Sequence, residues 1–327
     1  MIIVTGGAGF IGSVLVWYLN QQGRTDIIVV DHLGRSDKWK NLVGLRFAGY
    51  FDRADFITRL EAGQFDDAAE TVYHLGACSS TTEQDTGYLM ENNYRYSMRI
   101  GEWWNRHPGV RLVYASSAAT YGDGAQGYAD DEQSLDSLRP LNMYGYSKHL
   151  FDLHARQRGW LSRIVGIKYF NVFGPNEGHK GDMRSLISKA YPVVRDGGAM
   201  TLFRSGRSGY ADGEQRRDFI YVKDAAAMTL FFGENRAVAG LYNVGTGTAR
   251  SWNDVASALF AAAGRPRAVT YVPMPDAIAG KYQYFTQADL GKIRNTGCGH
   301  RCMTLEEAVG DYVSGYLSKG CTIAGAC

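Results

Sequence analysis

The sequence predicts an α/β fold, a doubly wound parallel sheet of the Rossmann type joined to a smaller mixed α/β unit. Three observations carry this prediction. Strand-length apolar runs alternate with helix-length amphipathic stretches through the first half, the pattern that gives parallel strands with helices on both faces. The first strand and helix meet in a glycine-rich turn, VTGGAGFIGS, at residues 4–13. Past Phe170 the alternation breaks, and 327 residues leave room for a second unit. Residues 1–170 are expected to form the dinucleotide-type domain, with about 217–240 returning to it. Residues 171–216 and 241–327 are expected to form the second.

Ile2-Ile3-Val4 reads as a buried strand, and Phe10, Ile11, Val14, Leu15 and Tyr18 recur at helical spacing until Gly23. Between them, Gly7, Gly9 and Gly12 fit G-x-G-x-x-G, and Gly6, Gly9 and Gly12 equally fit G-x-x-G-x-x-G. Such a turn lets the backbone approach a pyrophosphate, and the helix N-terminus faces the phosphates. A second apolar run, residues 27–30, ends at Asp31, where a dinucleotide fold places an acid that reads the ribose. An irregular basic stretch then leads to Arg53, followed by a strand at 71–75, a helix at 84–106, a strand at 110–115, a helix at 142–158 and a strand at 164–170. Residues 171–182 form a loop, a helix continues to about Asp196, and 204–217 is a polar, glycine-rich surface loop. Residues 219–222 are expected to return to the sheet, with Asp224 capping a short helix, and further helices are expected near 251–262 and 304–318. The tail SKGCTIAGAC is expected to be disordered.

Composition removes several classes of function. Hydrophobic content of 45% and charge of 21% describe a globular chain with a sizeable core, and a net charge of +2 argues against nucleic-acid or membrane-surface partners. No apolar run approaches the ~20 residues of a bilayer span. Met1 leads straight into the first strand, which predicts a cytoplasmic protein without a signal peptide. Five cysteines do not make a disulfide framework. Cys298-Gly-His300-Arg-Cys302 has metal-like spacing, but a structural zinc site wants four ligands, and the glycine-rich tail holding Cys321 and Cys327 is a poor source of more. No metal is expected.

The chemistry gathers at strand ends. Tyr144 and Lys148 lie one helical turn apart on one face, where an ammonium can lower a phenol toward the working pH of a general acid–base group. Tyr146 falls on the opposite side of the helix. Ser117, at the end of the strand that begins at residue 110, can share the proton of the same alcohol.

TGGAGFIG, SSAATYG, YGYSK and RDFIYVKDAA resemble the extended short-chain dehydrogenase/reductase superfamily, which acts largely on nucleotide sugars. HLGACSSTTE, ENNYRYS, LNMYGYSK, KYFNVFGPNEGHKGDM and GKYQYFTQADL are similar, more specifically, to the ADP-glyceromanno-heptose 6-epimerase family, from Met1 to about residue 315. That resemblance implies an epimerase that inverts C6 through a transient 6-keto sugar, working in lipopolysaccharide core-precursor synthesis as a homo-oligomer, a pentamer. It implies catalytic roles for Ser117, Tyr144, Lys148 and Lys180. It implies cofactor contacts at Gly6, Gly9, Phe10, Ile11 and Gly12, at Asp31, His32, Lys38 and Arg53, and along Leu75, Gly76, Ala77, Cys78 and Ser79. Asn92, Tyr144, Lys148, Val172 and Lys180 complete that set. Substrate contacts are implied at Ser117, Asn171, Asp182, Lys189 and Phe203, at Arg204, Ser205 and Gly206, and at Arg217 and Tyr282. Arg217 also suits a diphosphate on its own chemistry, since a guanidinium grips one through two parallel hydrogen bonds.

The chain departs from the family pattern at Asp182, Lys189 and the 204–206 segment, where serine, histidine and Glu-Gly-Ser are usual. These departures bear on the base and sugar rather than on the reaction. A UDP-sugar 4-epimerase on the same scaffold is the alternative. A dehydratase is disfavoured, because Ala118-Ala119 stands where that reaction needs an Asp-Glu pair, and a silent NAD(P)-sensing protein would lose the tyrosine or lysine. Asp31 alone favours NAD, whereas Arg35, Lys38 and Arg53 and the family match point to NADP, with NAD possible.

Overall fold

Strands as apolar as β1 (Ile2–Thr5) and β2 (Ile27–Asp31) need cover on both faces, and both are buried along their whole length. The computed structural model describes residues 1–275, 282–325 and 327. After β2 come β3 (Gly49–Asp52), β4 (Thr71–His74), β5 (Arg111–Ser117), β6 (Val165–Tyr169), β7 (Asn171–Phe173), β8 (Met200–Phe203), β9 (Arg216–Tyr221), β10 (Gly240–Val244), β11 (Ala249–Ser251) and β12 (Val269–Val272). The helices are α1 (Phe10–Gln21), α2 (Arg53–Glu61), α3 (Thr86–Leu89), α4 (Tyr96–Asn105), α5 (Met143–Gln157), α6 (Leu186–Arg195), α7 (Val222–Glu234), α8 (Trp252–Ala262), α9 (Gly291–Arg294) and α10 (Leu305–Tyr312). A π-helical stretch, Met90–Arg95, joins α3 to α4.

Seven strands form one parallel sheet in the order β10-β6-β5-β4-β1-β2-β3. Val14, Leu15 and Leu19 of α1 pack with Ala225 and Phe232 of α7 on one face. Phe56 of α2, Trp103 of α4 and Phe151 of α5 cover the other. The strand order reverses between β1 and β4, so a crevice opens there at the carboxyl ends of the strands. A second layer, built from α6, α8 and α10 against β8 and β9, has its own core around Ile187, Leu259 and Val309.

Several expectations are corrected. Residues 219–222 do not return to the main sheet: β9 pairs in parallel with β7 and antiparallel with β11 in a separate three-stranded sheet. The chain leaves the main sheet at Phe170, and β7 claims β9 before α7 carries the chain back to β10, which pairs with β6. Asp224 does not cap α7, whose N-cap is Tyr221; it lies in the first turn and accepts from the backbone of Met303 at 3.0 Å. The stretch leading to Arg53 holds β3, a half-exposed edge strand too short to read as one. The described residues of the tail are held against the fold. Ile323 is buried, its N–H donates to Asn176 Oδ1 at 2.9 Å, and Cys321 and Cys327 form a disulfide. One apolar residue and one backbone bond fix a segment whose composition suggests neither.

The sheet also buries a charge. Asp152 of α5 is fully enclosed and accepts from Tyr114 at 2.8 Å, Ser116 at 2.7 Å and Lys168 at 2.7 Å. Lys168 donates its second bond to Thr120 at 2.7 Å. Removing one member of a buried, hydrogen-bonded ion pair leaves the other uncompensated, at a cost of about 3–5 kcal/mol. Asp152→Ala is therefore expected to lower unfolding free energy by that order in urea denaturation, and a loss below ~1 kcal/mol would show that the network does not hold α5 to the sheet.

Candidate active site

Backbone requirements build the first wall. Gly6 has φ +69°, and a Cβ there would lie 2.7 Å from the amide nitrogen of Gly76, across the crevice between β1 and β4. A Cβ on Gly12 would lie 2.1 Å from the Gly6 carbonyl oxygen. The Gly6/Gly9/Gly12 reading therefore carries the close approach. α1 begins after Gly9 with no side-chain cap and no acidic residue in its first turn, which leaves its N–H groups to an anion.

Asp31, at the tip of β2, accepts from the amides of Ala8 at 3.0 Å and His32 at 2.7 Å, and from Lys38 Nζ at 3.0 Å. The imidazole of His32 meets Asp52 at 2.9 Å, and Arg53 bonds Asn92 while lying over the Tyr88 ring. The turn after β4 is braced from below. Thr5 Oγ1 accepts from Gly76 N at 3.0 Å and pairs with His74 Nδ1 at 2.7 Å, while His74 Nε2 pairs with Ser97 at 2.8 Å. Asn93 accepts from Cys78 N at 2.8 Å and donates to its carbonyl at 2.9 Å, and reaches Ser147 of α5 at 3.0 Å.

Asn142 caps α5 by accepting from Gly145 N at 2.8 Å, which places Tyr144 and Lys148 on the inward face and leaves Tyr146 exposed. Ser117, the last residue of β5, lines the same cavity as the Tyr144 phenol and favours its ionisation. Burial pushes that phenol above its ordinary value, opposed by Ser117. Burial lowers Lys148 to about 8, with the Asp152 carboxylate opposing, and its Nζ donates to the Ala115 carbonyl at 2.7 Å.

A cavity of about 600 Å³ runs from the glycine turn past Tyr144 and Lys148 to the second layer. Its wall brings together the expected residues except His32, Arg53, Cys78 and Asn92 near the first strands, and Asp182, Arg204, Ser205, Gly206 and Arg217 near the second layer. Lys180 faces it from the 178–183 turn, over the Phe10 ring at 5.1 Å, with its amine lowered by burial against the opposing charge of Glu177. Lys189 lines the cavity and donates to the Asp182 carbonyl at 3.1 Å, so two of the departures from the family pattern meet each other. Arg217 is buried, its guanidinium 4.8 Å over the ring of Tyr282, which itself lines the cavity, and Tyr282 OH accepts from Trp252 at 2.7 Å. Asp218 secures that strand by accepting from Thr246 N at 2.7 Å, Gly247 N at 2.8 Å and Ala288 N at 3.0 Å. Trp252 and His179 also line the cavity and carry no local sequence signal.

A glycine cradle, an uncapped helix start and an acid on the neighbouring strand fit a dinucleotide, and residues 2–245 match the family described as NAD dependent epimerase/dehydratase. The chain belongs to this family. An ADP-L-glycero-D-manno-heptose-6-epimerase of Nitratidesulfovibrio vulgaris strain Hildenborough is 52% identical over 318 residues, spanning 97% of this chain and 98% of the relative. One from Fusobacterium nucleatum is 43% identical over 330 residues, 98% of each chain. The solved ADP-L-glycero-D-manno-heptose-6-epimerase of Helicobacter pylori superimposes with a TM-score of 0.78 at 28% identity, over 96% of this chain and 95% of that one. A UDP-glucose 4-epimerase of Thermus thermophilus, solved with NAD, gives 0.76 at 25% identity over 96% and 97%. Within the epimerase/dehydratase family the chain thus groups with the heptose-6-epimerases, which are isomerases, and a nicotinamide dinucleotide is the cofactor the family implies. Among the described residues no helix is long and apolar enough to cross a membrane.

The brace beneath the cofactor turn has a pH signature. Burial lowers His74 to about 3, with Lys148 acting in the same direction, whereas the unfolded chain binds that proton near 6.5. Its contribution to stability is therefore fully present above pH ~6.5 and is lost as pH falls toward ~3. His179, lowered by burial to about 4, acts in the same sense. Denaturation midpoints should fall between pH 6.5 and 4, and less steeply in His74→Gln; an unchanged slope would contradict this account.

Proposed function

We propose that the cavity binds an ADP-glycero-manno-heptose and inverts its C6 with NADP, as a step in lipopolysaccharide core-precursor synthesis. The observation that carries the reading is the pairing of two proton-handling groups on different walls of one cavity, Tyr144 with Ser117 on one and Lys180 on another. Identity of 52% to a heptose-6-epimerase along nearly the whole of both chains supports the substrate class.

C6 of a heptose is not adjacent to a carbonyl, so its hydrogen is not acidic and proton abstraction at carbon would be prohibitively slow. The Gly6 to Gly12 turn, Asp31, Lys38 and the 75–79 turn would hold the dinucleotide, which would supply a reversible hydride acceptor for the C6 alcohol and its 6-keto form. Inversion then requires the sugar to turn, so that its C6 oxygen faces a different part of the wall. In one orientation the Tyr144 phenol, sharing its proton with Ser117, serves that oxygen. In the other, the amine of Lys180 does so, and burial brings that amine down toward the range where it can both give and take a proton. Lys38 supports the choice of NADP, since its bond to Asp31 offsets the carboxylate that would repel a 2′-phosphate.

Lys180→Met is expected to lower turnover by about 10²–10⁴-fold at saturating substrate. A near-normal turnover with a raised KM would instead assign Lys180 to a phosphate contact. Lys38→Ala is expected to weaken NADP much more than NAD in calorimetry, and equal losses would remove the cofactor preference.

A further inference from the structure

Read along the chain, Cys298-Gly-His300-Arg-Cys302 lacks a fourth ligand, but folding supplies a donor from 70 or more residues away. Asp224, in the first turn of α7, is buried, and its Oδ1 meets His300 Nε2 at 2.8 Å. One ligand atom each from Asp224, His300 and Cys302 all lie within 4.8 Å of one another. Asp224 Oδ2 is held by the amide of Met303 at 3.0 Å, which fixes the carboxylate and turns its other oxygen to the imidazole. Cys298 lies outside that 4.8 Å group but lines a pocket of about 330 Å³ with His300 and Cys302, and packs with Cys302 against the same core. None of these four residues lines the catalytic cavity.

We propose that Asp224, His300, Cys302 and Cys298 form a binding site for a thiophilic divalent cation of the zinc class. Two sulfurs, one imidazole and one carboxylate are the donors that a four-coordinate zinc accepts, and the sulfur content disfavours magnesium or calcium. Zinc–donor bonds of about 2.0–2.3 Å place tetrahedral ligands roughly 3.3–3.8 Å apart, so the three donors close in by about 1 to 1.5 Å from a widest spacing of 4.8 Å, and the Cys298 side chain swings in to complete the set. His300 exchanges its bond to Asp224 for the cation, the Met303 amide keeps the carboxylate aimed, and the two thiols release their protons to solvent as they bind. The cation joins residues 298–303, which lead into α10, to the start of α7, directly after the strand that carries Arg217. It is a staple between the second layer and the main sheet.

The test uses untagged full-length protein freed of metal, titrated with cobalt(II). We expect one equivalent per chain, with thiolate charge-transfer absorption in the near ultraviolet and tetrahedral d–d bands that zinc then displaces. Cys302→Ser and His300→Ala should each weaken zinc binding by more than about tenfold, whereas the Cys321→Ser/Cys327→Ser double variant should leave the spectrum unchanged. Binding of no equivalent, a thiolate-free octahedral spectrum, or a signal lost only with the tail cysteines would overturn the site. Should His300→Ala fail to fold, the cobalt spectrum of the unaltered chain still decides.

Discussion

A carboxylate with no access to water must be compensated inside the protein, and the way Asp152 is compensated sets the geometry of the catalytic end. Its three donors come from β5 and β6, while Asp152 itself belongs to α5. Any sliding of α5 along the sheet would strand a charge in the core, at several kcal/mol. The helix is thereby registered against β5, and Tyr144 and Lys148 near its start are registered against Ser117 at the end of the strand. The same charge opposes the loss of the Lys148 proton, which burial favours. One structural pair thus fixes where Tyr144 and Lys148 stand and helps to keep Lys148 charged.

The opposing wall is fixed by different means. Asn176 adopts φ 75°, donates to Ser13 of α1 at 2.8 Å and accepts from Ile323 N, so the turn that precedes Lys180 is tied to the glycine helix and to the C-terminal tail. Glu177, also buried, accepts from Ser185 N at 2.5 Å and Ser185 Oγ at 2.6 Å, which anchors the far end of the turn at the start of α6. Lys180 is therefore presented by a loop pinned at both ends. The tail has a position in this arrangement that its composition does not suggest.

Features fixed by local backbone needs are legible in the sequence. Only glycine fits where Gly6 passes Gly76, only a helical repeat brings Tyr144 and Lys148 to one face, and Ser117 ends a largely apolar strand. Features decided by distant partners are not. The run at 219–222 has the same apolar character as a main-sheet strand, and only β7 determines that it pairs elsewhere. Asp152 and Lys168 read as ordinary helix and strand polar residues until the fold encloses them. Arg217 reads as a diphosphate ligand from its own chemistry, while its stacking over the Tyr282 ring depends on an aromatic residue far along the chain.

The central claim is that this cavity inverts a sugar carbon that has no acidic hydrogen. The direct measurement is NMR of ADP-D-glycero-D-manno-heptose, UDP-glucose and GDP-mannose incubated with the purified protein in D2O. The account predicts conversion of the heptose alone to its C6 epimer, with the C6 hydrogen retained. Deuterium at C6, or turnover of UDP-glucose in place of the heptose, would contradict it.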